Sequence, residues 1–96
     1  MPNPFYQAIG SKIRAARERA CLSQDELAEK AGTNGAFLGR VERGLQNMSL
    51  MTIGRLAVAL GVAPSLFFEG VVPQPDVGER PRRRNARAAR EPTDGE

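Results

Sequence analysis

The chain has 96 residues, 41% of them hydrophobic, enough for one small domain with a modest core. Its 14 Lys and Arg against 11 Asp and Glu leave a formal net charge of +3, which permits a polyanionic partner without requiring one. Its 1 cysteine and 0 histidines exclude an intramolecular disulfide and a two-cysteine metal site. They also remove the usual acid–base and nucleophile arrangements, so neither catalysis nor a metal or cofactor is expected.

The opening Met-Pro-Asn-Pro-Phe-Tyr lacks the basic start and apolar run of a secretory signal. The longest largely apolar stretch, from Leu56 to Pro64, is too short to span a bilayer. A cytoplasmic location without a membrane partner is therefore expected. Pro2 and Pro4 hold the first residues extended, and a helix is predicted from Phe5 or Tyr6. Phe5, Ile9, Ile13, Ala16 and Ala20 recur at helical steps and predict a buried stripe. Lys12, Arg14, Arg17 and Arg19 make the other faces positive. Near the end of this helix, Cys21 is read as a small, partly buried apolar residue.

Residues 23–44 predict two short helices joined by a tight turn. Ser23 followed three residues later by Glu26 is a capping box, each side chain satisfying a backbone N–H at the helix start. Leu27, Ala28 and Ala31 then share one face, and Gly32 suits the left-handed residue that ends the helix. Thr33 or Asn34 caps the second helix, whose inward residues are Phe37, Leu38 and Val41. Glu26 and Glu29 lie one turn apart, but solvated carboxylates explain them better than a metal pair does.

Gly44 ends that helix and Leu45–Met48 form a loop. Ser49 caps a further helix with an inward stripe of Leu50, Ile53, Leu56, Ala57 and Leu60, stopped by Gly61. Pro64 suits the first turn of a last short helix, Pro64 to Glu69. Leu66, Phe67 and Phe68 cannot all face one small core, and Phe68 is expected at the surface. From Val71 onward the chain holds four of its seven prolines, no aromatic residue and the basic run from Arg80 to Arg90. Such a segment buries too little apolar surface to offset its ordering entropy, so a disordered tail over 71–96 is expected. Its arginines are read as solvated, with a sequence-independent attraction to phosphates as the functional alternative.

The spacing of capping box, small crossing residue, turn glycine and apolar pair resembles the helix-turn-helix of the phage-repressor/Cro-type (Xre-like) DNA-binding family. The resemblance implies an all-α, compact five-helix repressor-like domain over 1–70, acting on double-stranded DNA as a transcriptional regulator. It places Asn34, Gly35, Ala36, Gly39 and Arg40 toward the bases, and Gln24, Arg14, Arg43, Gln46 and Asn47 toward phosphates. Among the base-facing positions, only Asn34 and Arg40 carry side chains able to make base-edge hydrogen bonds. The resemblance also pairs Arg17 of the first helix with Glu42 near the end of the reading helix, as a structural ion pair.

Residues Glu42–Leu50 and Leu66–Glu69 are similar to the controller proteins of restriction–modification systems, dimeric regulators within the same family. A homodimer on a two-fold-related operator follows, because one side-chain-poor helix cannot single out a site. Met48, Met51, Leu66 and Phe68 are the candidate pairing surface. The alternative is a helix-turn-helix module whose main partner is another protein, such as a toxin that it neutralises. No small-molecule ligand is evident.

Overall fold

In the computed structural model, residues 2–73 are described; the tail from 74 to 96, with its basic run, lies outside the described residues. Local capping chemistry sets where each helix begins. Asn3 accepts hydrogen bonds from the backbone N–H groups of Phe5 (2.8 Å) and Tyr6 (3.1 Å), so α1 runs Pro4–Arg19 and starts ahead of Phe5. Pro4 fits the first turn because the N–H it lacks has no intrahelical acceptor there. The capping box opens α2, Gln24–Lys30: Ser23 Oγ accepts from Glu26 N at 3.0 Å and Glu26 Oε1 accepts from Ser23 N at 2.8 Å. Asn34 caps α3, Gly35–Glu42, and Ser49 caps α4, Leu50–Leu60.

The helix ends share one motif. Past α2 and α3, the chain turns through Gly32 (φ +76°) and Gly44 (φ +78°), and α4 stops at Gly61 (φ +69°). The α1 end makes the same pair of backbone bonds, Cys21 N to Glu18 O and Leu22 N to Arg17 O, with Cys21 in the left-handed position (φ +59°). Cys21 is consequently exposed, not partly buried: the turn that reverses the chain points its side chain away from the core. Ala20, the C-cap of α1, lies past the last turn and is exposed as well.

Four α-helices are present among the described residues, not five, and no strand. Pro64–Phe68 forms a 3-10 helix, because five residues headed by a proline leave room for tighter bonds such as Leu66 N to Ala63 O. The core gathers Ile9, Ile13 and Ala16 from α1, Leu27, Ala28 and Ala31 around α2, Leu38 and Val41 from α3, Leu56 and Ala57 from α4, and Phe67. Burying each of its larger side chains contributes roughly 1.5–3 kcal/mol relative to exposure. Leu50, assigned to the α4 stripe by spacing, is 85% exposed, since the first residue of α4 lies beyond the edge of this core. Phe67 is fully buried and Phe68 lies at the surface, as the crowding of three large residues requires.

α3 packs against both α2 and α1. At the α1–α3 crossing Gly10 is buried, and a Cβ there would run into the Val41 carbonyl. The two backbones therefore touch at Gly10. No helix among the described residues is long and apolar enough to cross a membrane.

Candidate nucleic-acid interface

α2 and α3 are consecutive, joined by a four-residue turn, and each begins with a side-chain cap that fixes its direction. Asn34 Oδ1 accepts from Phe37 N at 2.9 Å, which commits its carbonyl to the helix start and leaves its amide hydrogens for a partner. Ala36 and Arg40 are exposed on α3, and Gly35 is half-buried. Gly39 is buried: a Cβ there would sit 3.5 Å from both Gln24 Oε1 and Arg43 Nη1. Side chains from α2 and from the end of α3 thus lie over the position that glycine leaves open.

Arg40 is held at two points. Its Nε donates to Gln46 Oε1 at 3.1 Å, and its guanidinium carbon lies 6.0 Å from the centroid of the Phe37 ring. Gln46 in turn donates to the Asn47 carbonyl at 3.1 Å, and Asn47 Oδ1 accepts from Met48 N at 2.8 Å. Arg40, Gln46 and Asn47 therefore form one connected surface array. It places an arginine fork, suited to bidentate recognition of guanine or phosphate, beside two amide side chains.

Beneath this surface, Arg17 Nε donates to Glu42 Oε2 at 2.7 Å and Arg17 Nη2 to Glu42 Oε1 at 3.0 Å. The pair is nearly dry, with 12% and 3% of the two side chains exposed. A third bond from Arg17, Nη1 to the Leu22 carbonyl at 2.9 Å, ties it to the segment entering α2. The hydrogen bond to Glu42 raises the Arg17 pKa further above its ordinary value, against a smaller opposing effect of burial. Sequence spacing did not reveal that Gln24 Nε2 also donates to Glu42 Oε1, at 3.0 Å. Glu42 thereby joins α1, α2 and α3, and Gln24, assigned to a phosphate, is tied to the same carboxylate here.

Arg14 pairs with Glu18 one turn along α1 at 3.1 Å, both side chains more than half exposed. Such a pair contributes little, so Arg14 is free to exchange Glu18 for another anion. Arg43 is exposed at the C-cap of α3. The four residues assigned to a pairing surface do not converge on one place. Met48 and Phe68 line a groove of about 200 Å³ together with Phe5, Tyr6 and Leu50. Met51 lines a separate recess of about 460 Å³ beside Gly54, Val58, Lys30 and Arg55. Leu66 is half-buried and packs on the core.

Two short helices joined by a tight turn, a buried pair locking the second of them, α3, to α1, and an exposed arginine array on α3 define a helix-turn-helix. The chain belongs to the helix-turn-helix domain family, whose model matches residues 8–67. It is similar to the uncharacterized HTH-type transcriptional regulator Rv0474 of Mycobacterium tuberculosis, 40% identical over 59 residues, covering 62% of this chain and 42% of that protein. The chain thus spans about two fifths of that relative's length. Among solved structures, it resembles the restriction–modification controller protein C.AhdI from Aeromonas hydrophila. That likeness has a TM-score of 0.64 at 38% identity and covers 66% of this chain and 96% of that one. A second likeness is to SinR, described as the master regulator for biofilm formation, in a complex with DNA. Its TM-score is 0.60 at 34% identity, over 62% of this chain and 97% of that one.

Proposed function

We propose that this protein is a sequence-specific DNA-binding transcriptional regulator that acts as a homodimer on a two-fold-related operator. The observation that carries the reading is α3: locked to α1 through Arg17–Glu42, it presents Ala36 and Arg40 outward beside Gln46 and Asn47. A helix so fixed enters the major groove as a rigid body, which confines the ordering cost of binding to the contacting side chains. Arg40 reads guanine, the free amide hydrogens of Asn34 face a base acceptor, and Ala36 touches a thymine methyl. Arg43, Arg14, Gln46 and Asn47 take the flanking phosphates and set the register, joined by Gln24 through its backbone N–H at the start of α2, its side-chain amide staying on Glu42.

Support comes from the likeness to SinR, solved with DNA, and to C.AhdI, a restriction–modification controller, which makes that class of regulator the first to test. Pairing uses the groove shared by Met48 and Phe68, because an exposed phenylalanine bordering an apolar cleft is satisfied by a second copy. The competing reading is a module whose partner is another protein, favoured by the two glycines on α3.

A salt titration separates the two. Each phosphate neutralised adds roughly −0.9 to the slope of log affinity against log salt for duplex DNA. The DNA reading predicts a slope steeper than about −3 for a duplex carrying the preferred sequence. Failure to bind any duplex at low salt contradicts it.

A further inference from the structure

The other glycine on α3 is not left bare either. Gly35 is the first residue of α3, and a Cβ built there would overlap Asp25 Oδ1, with Asp25 Cγ 3.0 Å away. The carboxylate of Asp25, one residue past Gln24 on α2, thus lies in the volume that a side chain at position 35 would take. Asp25 is exposed and forms no hydrogen bond or ion pair with another described residue, unlike its neighbour Glu26, which is spent on the Ser23 cap.

We infer that Asp25 is a specificity-determining residue, its carboxylate standing in for the missing side chain at Gly35 and accepting a hydrogen bond from the N4 amino group of a cytosine. This rests on the DNA-reading proposal above. An ionised carboxylate only accepts, so in the major groove it pairs with an amino group and is repelled by guanine O6 and N7, by thymine O4 and by phosphate. Of the base amino groups there, cytosine N4 is the geometric partner of an aspartate. Position 25 therefore discriminates by attraction to one base and by repulsion of the others, a combination that sharpens specificity more than affinity.

The test measures affinity for the preferred duplex and for duplexes carrying each single base-pair change, using wild type, Asp25→Ala, Asp25→Asn and Gly35→Ala. The wild type is expected to prefer cytosine at one position of each half-site by about tenfold. Asp25→Ala is expected to abolish that preference while leaving the other positions and the melting temperature unchanged. Asp25→Asn, which can both donate and accept, is expected to move the preference toward adenine. Gly35→Ala, whose new methyl displaces the flexible carboxylate, is expected to disturb the same base pair. A uniform change in affinity across all duplexes, or a melting shift with an unchanged preference profile, would assign Asp25 to charge balance at the helix starts and overturn the inference. A wild type without any sequence preference overturns the DNA-reading proposal, and this inference with it.

Discussion

Arg17 on α1 and Glu42 at the end of α3 lie 25 residues apart and are joined by two hydrogen bonds in a nearly dry pocket. Glu42 takes a third from Gln24, so its one carboxylate satisfies donors on α1 and α2. Transfer of both ions out of water offsets much of their attraction, so the pair adds little net stability, but removing one partner strands a buried charge. Its contribution lies in fixing the angle of α3.

Glu42→Ala is accordingly expected to destabilise the fold by about 3 kcal/mol. For a domain of this size that lowers the melting temperature by roughly 12–24 °C. Arg14→Ala, which removes an exposed pair, should leave the melt within about 4 °C of wild type. Thermal melts of both variants check the contrast, and equal small shifts would contradict it.

The cysteine that ends α1 sits where the chain ends its other helices with glycine. A side chain in the left-handed conformation costs roughly 1–2 kcal/mol, and Cys21 is exposed, so it gives up little packing in return. Cys21→Gly should therefore stabilise the protein by up to about 1 kcal/mol, reduced somewhat by the greater freedom of glycine in the unfolded chain. Calorimetry showing a lower melting temperature would refute this.

Features set by neighbours in the chain were legible in the sequence: the capping box at Ser23 and Glu26, the left-handed glycines, and the core faces of α2 and α3. The Arg17–Glu42 pair came from family resemblance, not from spacing, because no local signal links residues so far apart. Legibility failed where an element ends or where two elements meet. Ala20 and Leu50 fit their stripes by periodicity and fall outside the core because the partner surfaces stop short of them. The bond from Gln24 to Glu42, the seat of Asp25 against Gly35 and the backbone contact at Gly10 arise from the α1–α3 and α2–α3 crossings, whose geometry no spacing encodes. The last helix, counted as one of five, is a 3-10 turn bonded three apart, a difference that apolar spacing over five residues does not carry.

Glu26 gives the fold a pH dependence of known sign. Its carboxylate accepts the Ser23 backbone N–H, and the hydrogen bond with the Ser23 side chain and the nearby Lys30 act the same way, holding its pKa below the usual 4.5. The folded state thus binds the proton less readily than the unfolded state. The cap is fully stabilising above about pH 4.5 and is lost as the pH falls through the lower folded value. Glu26→Gln should flatten the acid side of the curve of melting temperature against pH; an unchanged acid limb would contradict this.

Arg40 and Arg43 are expected to part company on DNA. Loss of a bidentate arginine–guanine contact removes roughly 1–3 kcal/mol of discrimination, so Arg40→Ala should relax preference at one base pair per half-site. Arg43→Ala should weaken binding to all sequences alike. An unchanged preference profile for Arg40→Ala would move base reading to Gln46 and Asn47.

Phe68→Glu places a charge in the groove that Met48 and Phe68 share, and is expected to yield a folded monomer. Sedimentation should show wild type as a dimer at micromolar concentration and the variant at half its mass with an unshifted melt. A wild type that sediments as a monomer while binding a single half-site with full specificity would contradict the pairing.

The most direct test of the account is selection of bound duplexes from a random pool by the wild-type protein. Two α3 helices on one face of the duplex require half-sites centred about one helical turn apart, roughly 34 Å. Enrichment of an inverted repeat with that spacing is expected, holding guanine at the position that Arg40→Ala relaxes. Recovery of an unenriched pool, or of a single asymmetric half-site, would contradict it.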